Sequence, residues 1–248
     1  MDRPFSFGRL ARLCLVTYGI QPYWEIDLEA LGYVHINSLV KKVTSTEALV
    51  CGVDRELVIA IRGTQQIRDW VTNLTPGTCA ENGIRRGFAE AAESIADDIV
   101  QTINFSGAER VIVTGHSLGG AVAHALCRLL AFDRLIHEFH TFAAPRVGNP
   151  LCAELISAVH YESTSWSHNN DIVPRLPPAD WGYSHVGQWR YIDHAGLVHH
   201  NPESSLVLGD RFKGRVLAIS EGRLTDGLDD HAIEHYIRAA DAEDRKRG

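Results

Sequence analysis

Apolar residues recur along this chain with two different periods, and the switches between them outline the elements. In FGRLARLCLVTYG, Leu10, Leu13 and Val16 fall at three-residue steps, which predicts an amphipathic helix closed by Gly19. Between Tyr33 and Ile61 the pattern becomes strand-like, in HINSLV, EALVCGV and ELVIAIR. GVDRE between the last two reads as the turn of a hairpin. FAEAAESIADDIVQTI, residues 88 to 103, returns to helical steps. The β-branched run Val111-Ile112-Val113 predicts a buried strand, and the Ala-rich AVAHALCRLLAF beyond it a helix. EFHTFAAPRVGNP reads as a strand entering a turn, and LCAELISAV as a helix. YESTSWSHNNDIVPRLPP is β-rich and ends in a proline-marked loop. Residues 182 to 209 show no clear period. RVLAIS reads as a last strand, followed by an Asp-rich loop, the helix HAIEHYIRAADAED and a frayed, charged end in DAEDRKRG. Strands alternating with helices predict an α/β class with a mostly parallel sheet, the early hairpin adding an antiparallel edge.

No repeat or linker interrupts this pattern, so residues 1–248 are expected to form one domain with a large core. Hydrophobic residues at 45% and charged residues at 22% exclude wholesale disorder. A net charge of −7 offers no basic footprint for nucleic acid. The five cysteines are odd in number, widely spaced and without a CxxC pair, which argues against a disulfide scaffold or a zinc knuckle. Arg3, Arg9 and Arg12 break up the apolar residues before Gly19, so a signal peptide is not expected. No stretch is long enough to span a bilayer. The expectation is a cytoplasmic protein, or a secreted one if a leader has been removed.

The chemistry concentrates around Ser117. Gly115-His116-Ser117-Leu118-Gly119 fits G-x-S-x-G and lies between a predicted strand and a predicted helix. That context is a nucleophile elbow, projecting the serine hydroxyl from the top of a sheet beside free helix N–H groups. The competing reading is a turn whose serine only caps the helix. A serine hydroxyl is a poor nucleophile at neutral pH and needs a base held by a carboxylate, in the chain order Ser, Asp or Glu, His. Asp171 in HNNDIVPRLPP is the best acid, on a loop at a strand end, unless it only caps a turn beside Asn169 and Asn170. The base must come later, from His185, His194, His199, His200, His231 or His235. His231 stands on the loop entering the final helix, and His235 is its rival one turn further on. His116 reads as structural. Attack on a carbonyl also needs oxyanion donors. The N–H of Leu118 is one candidate and Thr64, at the exit of LVIAIRGT, the other.

Two further patterns bear on ligands. In QQIRDWVTNL, Ile67, Trp70, Val71 and Leu74 share one helical face, which suits either a lid over a cleft or a fixed surface helix. Asp193, His194, His199 and His200 fit no standard metal-ligand spacing, and a solvated loop is the expected reading.

Taken together these segments resemble the class 3 lipase family, whose members include filamentous-fungal triacylglycerol lipases, feruloyl esterases and plant phospholipase A1 enzymes. IRGTQQIRDWVTNL is similar to the family's oxyanion strand and lid, and RRGF at 85 to 88 to its H-x-G-F segment. VIVTGHSLGGAVAHAL resembles the elbow, TFAAPRVGNP the T-F-G-x-P-R-V-G-N strand, HNNDIVPRLPP the acid segment, and YSHVG the segment after it. DDHAIEHY matches the bacterial form D-H-x-x-x-x-Y, which assigns the base to His231. The resemblance implies an α/β-hydrolase fold of eight or so mostly parallel strands flanked by helices, with a short helical lid. It implies a serine carboxylester hydrolase acting on lipid esters, with no metal or cofactor. Its catalytic set would be Ser117, Asp171 and His231, with Thr64 and Leu118 at the oxyanion. A phospholipase A1, a small-ester or feruloyl-type esterase, and a catalytically silent lipid-binding protein are the alternatives.

Overall fold

The computed structural model describes residues 6–19, 24–72, 77, 79–133, 135–160, 162–220, 222 and 226–247. Alternation along the predicted strands produces a sheet with two apolar faces. Its strands are β1 (Val34–Lys41), β2 (Thr46–Val53), β3 (Glu56–Ile61), β4 (Arg110–His116), β5 (Glu138–Phe142), β6 (Thr164–His168), β7 (Gln188–Ile192) and β8 (Val198–His200). They pair in chain order. β1, β2 and β3 form the antiparallel meander, β3 to β7 run parallel, and β8 returns antiparallel to β7.

The helices are α1 (Phe7–Thr17), α2 (Trp24–Ala30), α3 (Ile67–Thr72), α4 (Arg86–Ser106), α5 (Leu118–Leu129), α6 (Pro150–Val159), α7 (Ser204–Ser220), α8 (Asp226–Asp229) and α9 (Ile233–Arg247). Leu57, Ile59, Ile61, Val111 and Val113 point to a core shared with α4, α5 and α6. Val58, Ala60 and Ile112, one residue out of step, point to a second core with α1, α2 and α9. Right-handed crossovers between sequentially adjacent parallel strands put α4, α5 and α6 on one face. The other face is left for the chain ends.

Two expectations are corrected. RVLAIS is not a strand but the last part of α7, whose buried residues Val207, Asp210, Gly214 and Ala218 recur at helical spacing. The charged end is not frayed. Asp244 accepts from the Phe7 and Gly8 N–H groups at 3.1 and 2.8 Å, satisfying free donors at the start of α1. Asp241 pairs with both terminal nitrogens of Arg12 at 2.6 Å. Glu243 is buried and accepts from His200. α9 is therefore tied to α1 by polar contacts as well as by its apolar face.

Candidate active site

β4 ends at His116 and α5 begins at Leu118, so Ser117 makes the whole turn. It adopts φ 59° and ψ −131°, a conformation that non-glycine residues rarely accept. The turn closes only because Gly115 and Gly119 lack side chains. A Cβ at Gly115 would lie 2.5 Å from the Gly119 backbone, and one at Gly119 would collide with the Ile61 carbonyl. The Ser117 N–H donates to the Phe142 carbonyl at 2.9 Å, anchoring the strained residue to β5. The expectation of a projecting hydroxyl is modified, because Ser117 is fully buried.

Ser117 Oγ lies 2.9 Å from His231 Nε2, and His231 Nδ1 lies 3.1 and 3.0 Å from the two oxygens of Asp171. A carboxylate only accepts, so Nδ1 carries the proton and Nε2 is free to accept from the serine. His231 sits on the turn between α8 and α9, and Asp171 on the loop after β6. Asp171 Oδ1 also takes the Val173 N–H at 2.9 Å, and Oδ2 the Tyr236 hydroxyl at 2.6 Å. Burial, then the Asp171 charge, push the Tyr236 phenol well above its ordinary range, so it stays a donor.

The loops that carry Asp171 and His231 are fastened to one another. Asp230 Oδ2 accepts from the Asn170 N–H at 3.0 Å, and the Ile172 N–H donates to Gly227 O at 3.0 Å. α7 grips the Asp171 loop from the other side. Asp210 accepts from Asn169 Nδ2 at 2.7 Å, and Arg211 Nε donates to the Asn169 carbonyl at 2.9 Å.

Both ring nitrogens of His116 are engaged elsewhere. Its Nε2 faces the His231 carbonyl at 2.9 Å and must donate, so Nδ1 accepts from the Tyr18 hydroxyl at 2.9 Å. Burial, then the neighbouring His231, hold it well below the usual histidine range, and it stays neutral. His235 stacks on His168 with centroids 4.8 Å apart and accepts from Arg238. His194 pairs with Asp210, His199 with Asp193 and His200 with Glu243, while His185 is exposed. Asp193 is thus a buried loop organiser rather than a solvated residue. Among the described residues no cluster of three or more His, Cys, Asp or Glu could hold a metal ion. All five cysteines are free.

Thr64 follows β3 and passes beside the elbow, where Gly63 has no room for a side chain against the His116 carbonyl. Thr64, Leu118, Trp70, Phe88 and Val122 line one cleft of about 470 Å³. Thr64 Oγ1 accepts the Gln66 N–H at 3.0 Å, which leaves its own hydrogen for a ligand oxygen. Of the predicted stripe, Ile67, Trp70 and Val71 lie on α3 and are half-buried. Trp70 packs on Phe88 with centroids 6.5 Å apart. Leu74 lies outside the described residues.

Comparison with known proteins identifies the family and the fold. The model of the family "Lipase (class 3)" matches residues 58–181, half of the chain. The chain belongs to the class 3 lipase family. This class 3 lipase is 33% identical over 178 residues to secreted mono- and diacylglycerol lipase 1 of Fusarium solani, covering 67% of the chain and 54% of the relative. It is 34% identical over 140 residues to secreted mono- and diacylglycerol lipase A of Penicillium cyclopium, covering 52% and 46%. The chain thus spans about half the length of the curated relatives it matches. The triacylglyceride lipase of Rhizomucor miehei superposes with a TM-score of 0.67 at 25% identity, covering 75% of this chain and 78% of that one. The α/β-hydrolase fold is thereby shared. The cytoplasmic expectation is corrected, because the Fusarium and Penicillium relatives are secreted by name. That expectation rested on the lack of a continuous apolar run before Gly19 and of any stretch long enough to span a bilayer. Among the described residues no helix is long and apolar enough to cross a membrane.

Sequence reasoning missed the supporting residues Tyr18, Asp210 and Asp230. Tyr236 carried a signal, as the final residue of D-H-x-x-x-x-Y, but no role was attached to it.

Proposed function

We propose that this chain is a serine carboxylester hydrolase, a lipase that cleaves fatty-acyl esters of glycerol through an acyl-enzyme. The observation that carries the reading is the contact of Ser117 Oγ with His231 Nε2 at 2.9 Å, continued through Nδ1 to Asp171. Ser117 attacks the ester carbonyl while His231 takes its proton. Asp171 holds the imidazole tautomer and stabilises the imidazolium that forms. The N–H of Leu118, at the start of α5, and Thr64 donate to the developing oxyanion across the cleft they share. His231 then gives the proton to the leaving alcohol, and water repeats the sequence in reverse to release the fatty acid. Of the α3 stripe Trp70 faces this cleft, and with Phe88 and Val122 it supplies an apolar wall for the acyl chain. The unbroken sheet from β1 to β8 supports reading residues 1–248 as one catalytic domain.

The test is labelling with a fluorophosphonate, followed by hydrolysis of esters from p-nitrophenyl acetate to emulsified long-chain triglyceride. The wild-type chain should label and hydrolyse, and Ser117→Ala should do neither while remaining folded. A folded Ser117→Ala protein with unchanged kcat would sink the mechanism. Hydrolysis confined to phospholipids or to soluble esters would instead select phospholipase A1 or esterase.

A further inference from the structure

α7 presents an outward face that the catalytic reading leaves unused. Its inward positions are Val207, Asp210, Gly214 and Ala218. On the opposite side stand Leu208, Phe212, Val216 and Ile219, exposed by 66%, 72%, 50% and 61%. At 3.6 residues per turn these four fall within a stripe about 80° wide, on the side away from the core. Scattered exposed leucines need no explanation, but an aligned row that includes a phenylalanine does. Arg215 borders the stripe on one side and Lys213 on the other, both exposed. The helix's one acidic residue, Asp210, is buried and bonded to Tyr191 and Asn169. The outer surface of α7 is therefore apolar with basic margins, on a chain whose net charge is −7.

Its position matters as much as its composition. β3 to β7 run parallel, so their carboxyl ends share one edge of the sheet. Ser117 follows β4 at that edge, and α3 follows β3 there. α7 is held to the same edge, because Asp210 bonds Asn169 just beyond β6 and also His194 just beyond β7. An apolar stripe beside the site and basic side chains along its borders match a lipid surface with anionic headgroups. The apolar side chains would enter the acyl region while Lys213 and Arg215 reach up to the phosphates.

We propose that the outward face of α7 (Leu208, Phe212, Val216, Ile219, Lys213 and Arg215) is an anchor that docks the protein on an anionic lipid surface. This rests on the lipase reading for its purpose but not for its test. The probe is vesicles of phosphatidylcholine mixed with phosphatidylglycerol, co-sedimented with the full chain. The wild-type chain should bind. The double variant F212S/I219S should bind at least about tenfold more weakly, since each buried apolar side chain is worth roughly that factor in partition. K213Q/R215Q should bind about tenfold more weakly to the mixed vesicles and equally to pure phosphatidylcholine. Both variants alter exposed side chains, and hydrolysis of soluble p-nitrophenyl butyrate should stay at the wild-type rate, which also reports folding. Hydrolysis of a triglyceride emulsion containing phosphatidylglycerol should fall with binding. Unchanged vesicle binding by F212S/I219S, or none by the wild type, overturns the anchor. A wild-type dimer that F212S/I219S splits without altering lipid binding would give the stripe to a second copy and equally overturn it. If no ester is hydrolysed but vesicle binding still follows the variants, the anchor stands and the lipase reading fails.

Discussion

His124, in the middle of α5, makes a quantitative prediction about acid stability. It is 2% exposed and packs edge-on against Phe139 with centroids 4.9 Å apart. Its Nε2 meets the Thr141 hydroxyl at 2.9 Å and the Ser165 hydroxyl at 3.3 Å. Burial, then the positive charges that His185 and His160 would carry, push it down from 6.5 to about 3. The folded protein therefore holds His124 neutral, whereas the unfolded chain protonates it below its ordinary range. The stability tied to this residue is complete above about pH 6.5 and is lost as pH falls toward the folded value. At about 1.36 kcal/mol per pH unit, His124 alone removes about 2 kcal/mol between neutrality and about pH 5. That is a large share of the roughly 5–15 kcal/mol that holds a typical domain together. His124→Gln keeps a donor near the Nε2 position and removes the titration. Urea unfolding of both proteins should be followed by tryptophan fluorescence at neutral pH and at about pH 5. The wild type should lose about 2 kcal/mol more than the variant across that interval, whatever other groups contribute to both. Equal losses would refute the argument that His124 is held neutral by its burial.

The other predictions concern the site itself. His231→Ala should cost nearly as much kcat as Ser117→Ala and the double variant little more, whereas His235→Ala should be mild; a reversed order in steady-state assays would reassign the base. Thr64→Ala should lower kcat about 100- to 1000-fold with little change in KM if the hydroxyl serves the oxyanion, and Thr64→Ser should restore most of it; a rise in KM alone would make Thr64 a ground-state contact. Tyr236→Phe removes a donor to a buried carboxylate, worth about 1.5–3 kcal/mol. Its effect should appear as a lower kcat with KM little changed, and an unchanged kcat would confine Tyr236 to packing.

Much of this protein was already determined by local order in its sequence. The strand Val111-Ile112-Val113, the glycines at 115 and 119 and the helix behind them define the elbow, because sterics at a strand-to-helix turn act over a few residues. The apolar runs of β2, β3 and β4 were equally legible as strands, while their division between two cores, residue by residue, appears only in the folded sheet. Where local signals were weak, the periodicity misled. RVLAIS, short and β-branched at its start, joined a helix because α7 packs through Asp210 and Gly214, which a hydrophobic pattern does not register. The resemblance of DDHAIEHY points to His231 among six histidines, but its meeting with Asp171 and Ser117 is a tertiary outcome. His231 lies 60 residues from Asp171 and 114 from Ser117, and only the parallel sheet, the Asp230 tie and the Tyr18–His116 support bring the three together. Electrostatic character was decided there as well. Burial first, and then neighbouring histidines, make His116 and His124 neutral groups of the core, and neither cause can be read from their places in the sequence.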